Sequence, residues 1–279
     1  MLAVALGLAA SLSWGISDFL GGLKSRTLEL LGVLLPSQGA GLVLVAAIVA
    51  LRAEPVPGGR HVAYACLSGL AGAVGLAAFY RGLAVGAMAV VAPISGTAAA
   101  IPVAFGLITG ERPSGLQAVG IGLAIAGVAL ASRELPEEGG GPRVAAGVGL
   151  ALLSALGFGS FFVAMDAASG PDLFWAIFFN RATSVTALVL AALALRPRLR
   201  PSRADLGVVL SIGLLDISAN ALFAAASTRG LVSLVAVLAS LYPVVTVLLA
   251  RLVLGERVRR VQQAGVAAAL AGVALISAG

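Results

Sequence analysis

Gly110–Ser132 reads GERPSGLQAVGIGLAIAGVALAS, and Gly255–Ser277 reads GERVRRVQQAGVAAALAGVALIS. About half of these positions are identical without a gap, with Gln117 falling on Gln262 and Gly127 on Gly272. An Ala/Gly/Val-rich composition raises chance identity, but it does not account for a shared Gly-Glu-Arg or an aligned glutamine. The chain is therefore an internal duplication. Matches further out agree: Arg81-Gly82-Leu83 answers Arg229-Gly230-Leu231, and Trp14-Gly15 answers Phe158-Gly159.

The duplicated unit is built for lipid. Of the 279 residues, 60% are hydrophobic and only 11% charged, against roughly 25% charged in a soluble domain. The mean hydropathy is +1.07. Aromatics are scarce at 5%, and the abundant small residues let helices approach closely in a bilayer. Cys66 and His61 are each the sole residue of their type, so a disulfide within the chain and a Cys/His metal cluster are excluded. The net charge of +6 comes almost wholly from arginines at the ends of apolar segments. That is the pattern of topology determinants rather than of a nucleic-acid surface.

Apolar stretches of about 18–25 residues, long enough to span a bilayer as helices, fall at 3–22, 30–51, 62–80, 84–108, 115–132, 144–166, 173–195, 206–227, 231–254 and 261–278. Met1–Gly15 lacks a basic start and its apolar run continues to Leu23, so a retained first helix is expected rather than a cleaved signal. The longest non-apolar stretch, Arg133–Arg143 (RELPEEGGGPR), lies at the midpoint and reads as a flexible linker. The expected architecture is an all-α membrane protein of about ten transmembrane helices. Residues 1–132 form one five-helix repeat, 133–143 the linker and 144–279 the second repeat. An odd number of spans inserts the second repeat upside down, the inverted-repeat geometry of many secondary transporters, with a site near the midplane.

Ionisable groups within the hydrocarbon cost roughly 2.5–3.5 kcal/mol each on insertion scales and usually face a cavity. Arg181 in the seventh segment and Asp216 in the eighth both fall at mid-depth. Either Arg181 holds an anionic group and Asp216 takes a proton or a cation, or the two form a fixed ion pair that fastens the helices. Asn180 and Asn220 lie beside them, and Ser37 and Gln38 occupy the equivalent depth of the second segment. Such amides and hydroxyls either orient a polar substrate or bond a neighbouring helix. Trp14 and Phe158 match across the duplication, and their rigid faces suit a cavity wall as well as a core. Tyr80 is placed near a helix end by Arg81. Tyr242 precedes Pro243, and Pro93 and Pro102 flank Ser95-Gly96-Thr97. Proline frees carbonyls in these segments, which either expose backbone to a cavity or merely kink the packing. Asp18 and Asp166, near helix ends, are expected to be solvated. Glu111 and Glu256 precede the fifth and tenth segments, where acidic groups favour the helix macrodipole. Gly120 with Ala124, and Gly265 with Ala269, form small-residue faces for a close crossing at a repeat or dimer interface.

These features resemble the EamA-type family of the drug/metabolite transporter superfamily over essentially the whole chain. The resemblance rests on Trp14-Gly15-Ile16-Ser17 in the first segment and Arg181 in the second segment of repeat two. It also rests on the Pro93 and Pro243 segments and the Gly-Glu-Arg turns before each final segment. Repeat one departs from the family pattern, with Ser37-Gln38 where an arginine is frequent. The resemblance implies a ten-helix transporter or exporter of amino acids, other metabolites or drugs, with a central cavity between the repeats. The expected substrate-binding set is Trp14, Ser17, Gln38, Ser95, Phe158, Asn180, Arg181, Asp216, Asn220 and Tyr242. No cofactor, metal or nucleic acid is expected; the partners are a small-molecule substrate and the lipid bilayer, with proton coupling through Asp216, in an inner (cell) membrane. An intramembrane enzyme on a lipid-linked substrate would need a base or metal beside Asp18 or Asp166, and no nucleophile–base pair or phosphate loop stands out. A non-transporting scaffold would make Arg181 and Asp216 a plain ion pair.

Orientation is contested within the sequence. With ten spans and cytoplasmic termini, as the resemblance implies, only Arg52, Arg60, Arg112 and Arg229 lie inside, while Arg196, Arg198, Arg200, Arg203, Arg257, Arg259 and Arg260 lie outside. The positive-inside bias favours the opposite placement, with both termini outside. A reporter active only outside the cytoplasm, fused after Gly279, should therefore be active; a cytoplasmic signal instead overturns the charge reading.

Overall fold

The computed structural model describes residues 1–25, 27–85, 95–131, 141–197, 202–254 and 260–278. The regular elements among these residues are helices, and six of them are long and apolar enough to cross a membrane. Shorter apolar helical stretches occur at Thr97–Ile108, Gly115–Gly127, Val232–Thr246 and Gln263–Ile276. The chain is a membrane protein: its helices present leucines such as Leu152, Leu193 and Leu252 outward, all more than half exposed, where only lipid gives them a favourable surrounding.

The elements are α1 (Leu2–Ser25), α2 (Leu30–Arg52), α3 (Gly59–Val85), a 3-10 turn (Thr97–Ala99), α4 (Ala100–Ile108), α5 (Gly115–Ala131), α6 (Gly141–Ser169), α7 (Leu173–Leu195), α8 (Arg203–Ser227), α9 (Val232–Ala239), α10 (Tyr242–Leu254) and α11 (Arg260–Ala278). Pro93, Glu256 and most of the 133–143 segment lie outside the described residues, and α6 begins at Gly141. One expected span, 231–254, is two helices. Ser240 and Leu241 form a turn between α9 and α10, and Pro243 as the second residue of α10 has no N–H to join the two. In the first half, a 3-10 turn precedes α4 and Pro102 is that helix's third residue.

Helices of the first half pack mainly on helices of the second: α3 on α6, α1 on α8, α2 on α7 and α5 on α11. The pattern survives exchange of the halves, since α1–α8 and α3–α6 are equivalent pairs, as are α2–α8 and α3–α7. Equivalent close approaches support these crossings. A Cβ at Gly69 on α3 would overlap the Asn180 backbone on α7, and one at Gly213 on α8 would overlap the Ser37 backbone on α2. The α5–α11 crossing is made by the small-residue faces. A Cβ at Gly120 would sit 2.8 Å from the Gly272 carbonyl oxygen, and one at Gly272 would sit 2.6 Å from the Ala124 nitrogen. Gly127 in turn meets Ala269 and Gly265, so the two helices run antiparallel and the small-residue stripe is spent within the chain.

The helix ends are satisfied by side chains. Asp172 caps α7, accepting from the Phe174 and Trp175 amides at 2.8 and 3.0 Å, and pairs with Arg52 at the end of α2 at 2.8 Å. Ser202 and Asp205 form a capping box on α8, and Asp205 pairs with Lys24 at the end of α1 at 2.6 Å. Ser114 and Gln117 exchange hydrogen bonds at 2.9 and 3.1 Å where α5 starts, which gives the aligned glutamine a capping role.

The Gly-Glu-Arg turn corrects an expectation. Glu111 does not serve the helix that follows it. Its carboxylate accepts the Val232 and Ser233 amides at 2.7 and 3.2 Å, at the N-terminus of α9 in the other half. A carboxylate on two orphan amides satisfies groups that lipid cannot. Glu111→Ala should therefore destabilise the protein by about 1–3 kcal/mol, read as a lower thermal midpoint in detergent, with Glu111→Gln losing less.

Candidate functional site

A cavity opens between the halves. The first half supplies Trp14 and Asp18 from α1, Gln38 from α2 and Gly69, Gly72, Ala73 and Leu76 from α3. The second supplies Phe158, Phe161 and Phe162 from α6, Asn180, Arg181 and Ser184 from α7, Asp216 and Asn220 from α8, and Tyr242 from α10. Trp14, Arg181 and Asp216 sit well inside their helices, at least seven residues from either end.

At its centre Arg181, only 4% exposed, pairs with Asp216 through Nη2 and donates to the Gln38 side-chain oxygen through Nη1. Gln38 returns a bond from Nε2 to Asp216 at 3.1 Å, and the Trp14 indole donates to the other Asp216 oxygen at 3.0 Å. One carboxylate thus receives donors from α1, α2 and α7 while it rides on α8. The Asn220 amide donates to the Asp216 backbone carbonyl at 2.6 Å, one turn away as its spacing requires. Asn180 donates to Ser68 on α3 at 2.8 Å, so its amide ties a neighbouring helix while it lines the cavity.

An aromatic wall faces this network. The Trp14 ring meets Phe161 at 5.9 Å and Phe162 at 5.8 Å in edge-on arrangements, and Phe158 meets Tyr242 at 6.3 Å. Such geometry favours the ring quadrupoles.

Of the residues expected to bind substrate, Trp14, Gln38, Phe158, Asn180, Arg181, Asp216, Asn220 and Tyr242 are brought together here. Two are not. The Ser17 hydroxyl donates to the Ile212 carbonyl at 3.1 Å across the α1–α8 contact, and Ser95 is wholly buried away from the lining. Ser37 likewise turns to its own helix, donating to the Leu34 carbonyl at 3.1 Å. Asp18 was expected to be solvated at a helix end, yet it lines the cavity beside the Tyr80 hydroxyl. Asp166, expected to be solvated too, is half-buried. The signals for the missed residues were helical spacings: Asp18 is one turn from Trp14, and Phe161 and Phe162 follow Phe158 by three and four positions.

Removing one partner of a buried ion pair strands the other charge, at a cost of about 3–5 kcal/mol. Asp216→Ala and Arg181→Ala should each lower the thermal midpoint sharply. The double variant should lose clearly less than the two losses added together; full additivity would show that the pair is not coupled.

A family profile described as the EamA-like transporter family matches residues 1–133 and 145–278. A search of curated proteins finds no match. A solved crystal structure superposes with a TM-score of 0.78 over 98% of this chain and 95% of that one at 19% identity, a likeness of fold. The matched family accounts for nearly every residue of both repeats, and this chain is a member of the EamA-like transporter family.

Proposed function

We propose that the protein is a secondary transporter of small polar or amphipathic metabolites, amino acids among them, working by alternating access at the central cavity. The observation that carries this reading is the cavity itself: it lies between the halves, is walled by both, and is crossed by one charged network that touches four helices. A rocking motion of one half against the other would change access to such a site without dismantling either half.

Counted with the four shorter apolar stretches, the six long helices make ten spans, five in each of the repeats 1–132 and 144–279. The inverted relation is supported by α5 and α11: these copies of one duplicated segment meet antiparallel. The interrupted segments, at Thr97–Ala99 and at Ser240–Leu241, fit the broken helices that line transporter sites. Placement in the inner (cell) membrane and outward transport are what the family membership suggests. In this reading a proton reaching Asp216 would weaken its hold on Arg181 and free α7 from α8 and α2.

Purified protein in liposomes should show saturable flux of at least one member of a broad amino-acid and metabolite panel. Gly72→Trp, which fills the cavity beside Phe161, should abolish it. Absence of flux across the panel overturns the transport reading. Unchanged pH dependence of flux in Asp216→Asn overturns the proton role alone.

A further inference from the structure

Among the charged groups that line the cavity, Arg181 offsets Asp216. The carboxylate of Asp18 is left over. Among the described residues the ion pairs are Lys24–Asp205, Arg52–Asp172 and Arg181–Asp216, and none includes Asp18. Lys24, the basic residue at the end of the same helix, is held by Asp205. Asp18 therefore lines the cavity with no ion-pair partner among the described residues, and the neutral Tyr80 hydroxyl lies beside it. That hydroxyl is lodged against Gly21, where any Cβ would overlap it, so Tyr80 is a fixed support.

A second group points the same way. Tyr242 lines the cavity at 4% exposure, and its hydroxyl has no hydrogen-bond partner among the described residues. It lines the same cavity as Asp18. Buried polar groups without partners are rare in native proteins, and a ligand is one of the groups that satisfies them. The lining around these groups includes Trp14, Phe158, Phe161 and Phe162.

We propose that Asp18 and the Tyr242 hydroxyl form a recognition site for the ammonium group of a small monocationic amphiphile, an aryl- or alkylamine whose apolar part lies on the aromatic wall. This rests on the transport reading and names its substrate class. The ammonium supplies the counter-charge that Asp18 lacks and donates to the Tyr242 oxygen. Aromatic faces favour an organic cation, whereas a metal ion needs a shell of oxygen ligands that this wall does not offer. A zwitterion's carboxylate would compete with Asp216 and Gln38 for the terminal nitrogens of Arg181, whose buried Nε alone is without a partner among the described residues.

The test is equilibrium binding to the full chain in lipid nanodiscs at neutral pH, with 2-phenylethylamine, 2-phenylethanol and phenylalanine as probes, paired with flux of the same probes in liposomes. The amine should bind about tenfold or more tighter than the isosteric alcohol, in line with a desolvated charge pair. Asp18→Asn should erase that preference, Asp18→Glu should restore it, and Tyr242→Phe should weaken amine binding several-fold. A thermal melt establishes that each variant is folded. Folded Asp18→Asn that keeps the amine preference, tighter binding of phenylalanine than of the amine, or no amine binding by the unaltered chain overturns the proposal. Flux of other compounds without an Asp18-dependent amine preference overturns this site and leaves transport standing. Asp18-dependent amine binding with no flux of these probes or of any compound in the wider metabolite panel supports the site and overturns the transport reading.

Discussion

A guanidinium cannot remain in the hydrocarbon of a bilayer without a counter-charge, and Arg181 finds its counter-charge on another helix. Pairing with Asp216 fixes the rotation of α7 against α8. The remaining valences of the pair then recruit Gln38 from α2 and Trp14 from α1. Four helices from two halves are thereby held in register by one polar node. The cavity exists because this node occupies the middle of the bundle, where close packing by leucines would otherwise fill the space.

The rest of the packing follows a second constraint. Lipid offers helices no hydrophobic drive to associate, so contact depends on close approach and on polar bonds. Gly69, Gly213 and the Gly120–Gly272 crossing supply the first. Ser13 and Ser17, bonded to carbonyls of α8 at 2.8 and 3.1 Å, supply the second. Glu111 adds a link between the halves by capping a helix of the opposite repeat. The helices of one half accordingly pack mainly on helices of the other.

Much of this was legible before any fold was known. The 60% hydrophobic composition required lipid, the repeated GER…AGVAL segment required duplication, and the mid-helix charges at 181 and 216 stood out as a pair that either holds a ligand or fastens two helices. These are properties of residue type and spacing, and helical periodicity conveys them directly. Glu111 shows where that reasoning stops. Its position before a helix suggested service to that helix, but the amides it accepts lie over a hundred residues away. Asp18 shows the same limit. Depth along a helix is readable from a sequence, but the direction a side chain faces depends on which neighbour packs there.

The sequence by itself therefore determined the solvent, the repeat, the family and the charged pair, because composition and period are local quantities. Only the tertiary structure decided which carboxylate, among the described residues, keeps a counter-charge and which does not. Asp216 accepts from three helices, whereas Asp18 is in none of the ion pairs among the described residues. That distinction depends on helix rotation and crossing, set by glycine contacts between distant segments, and it is what gives the cavity its electrostatic character.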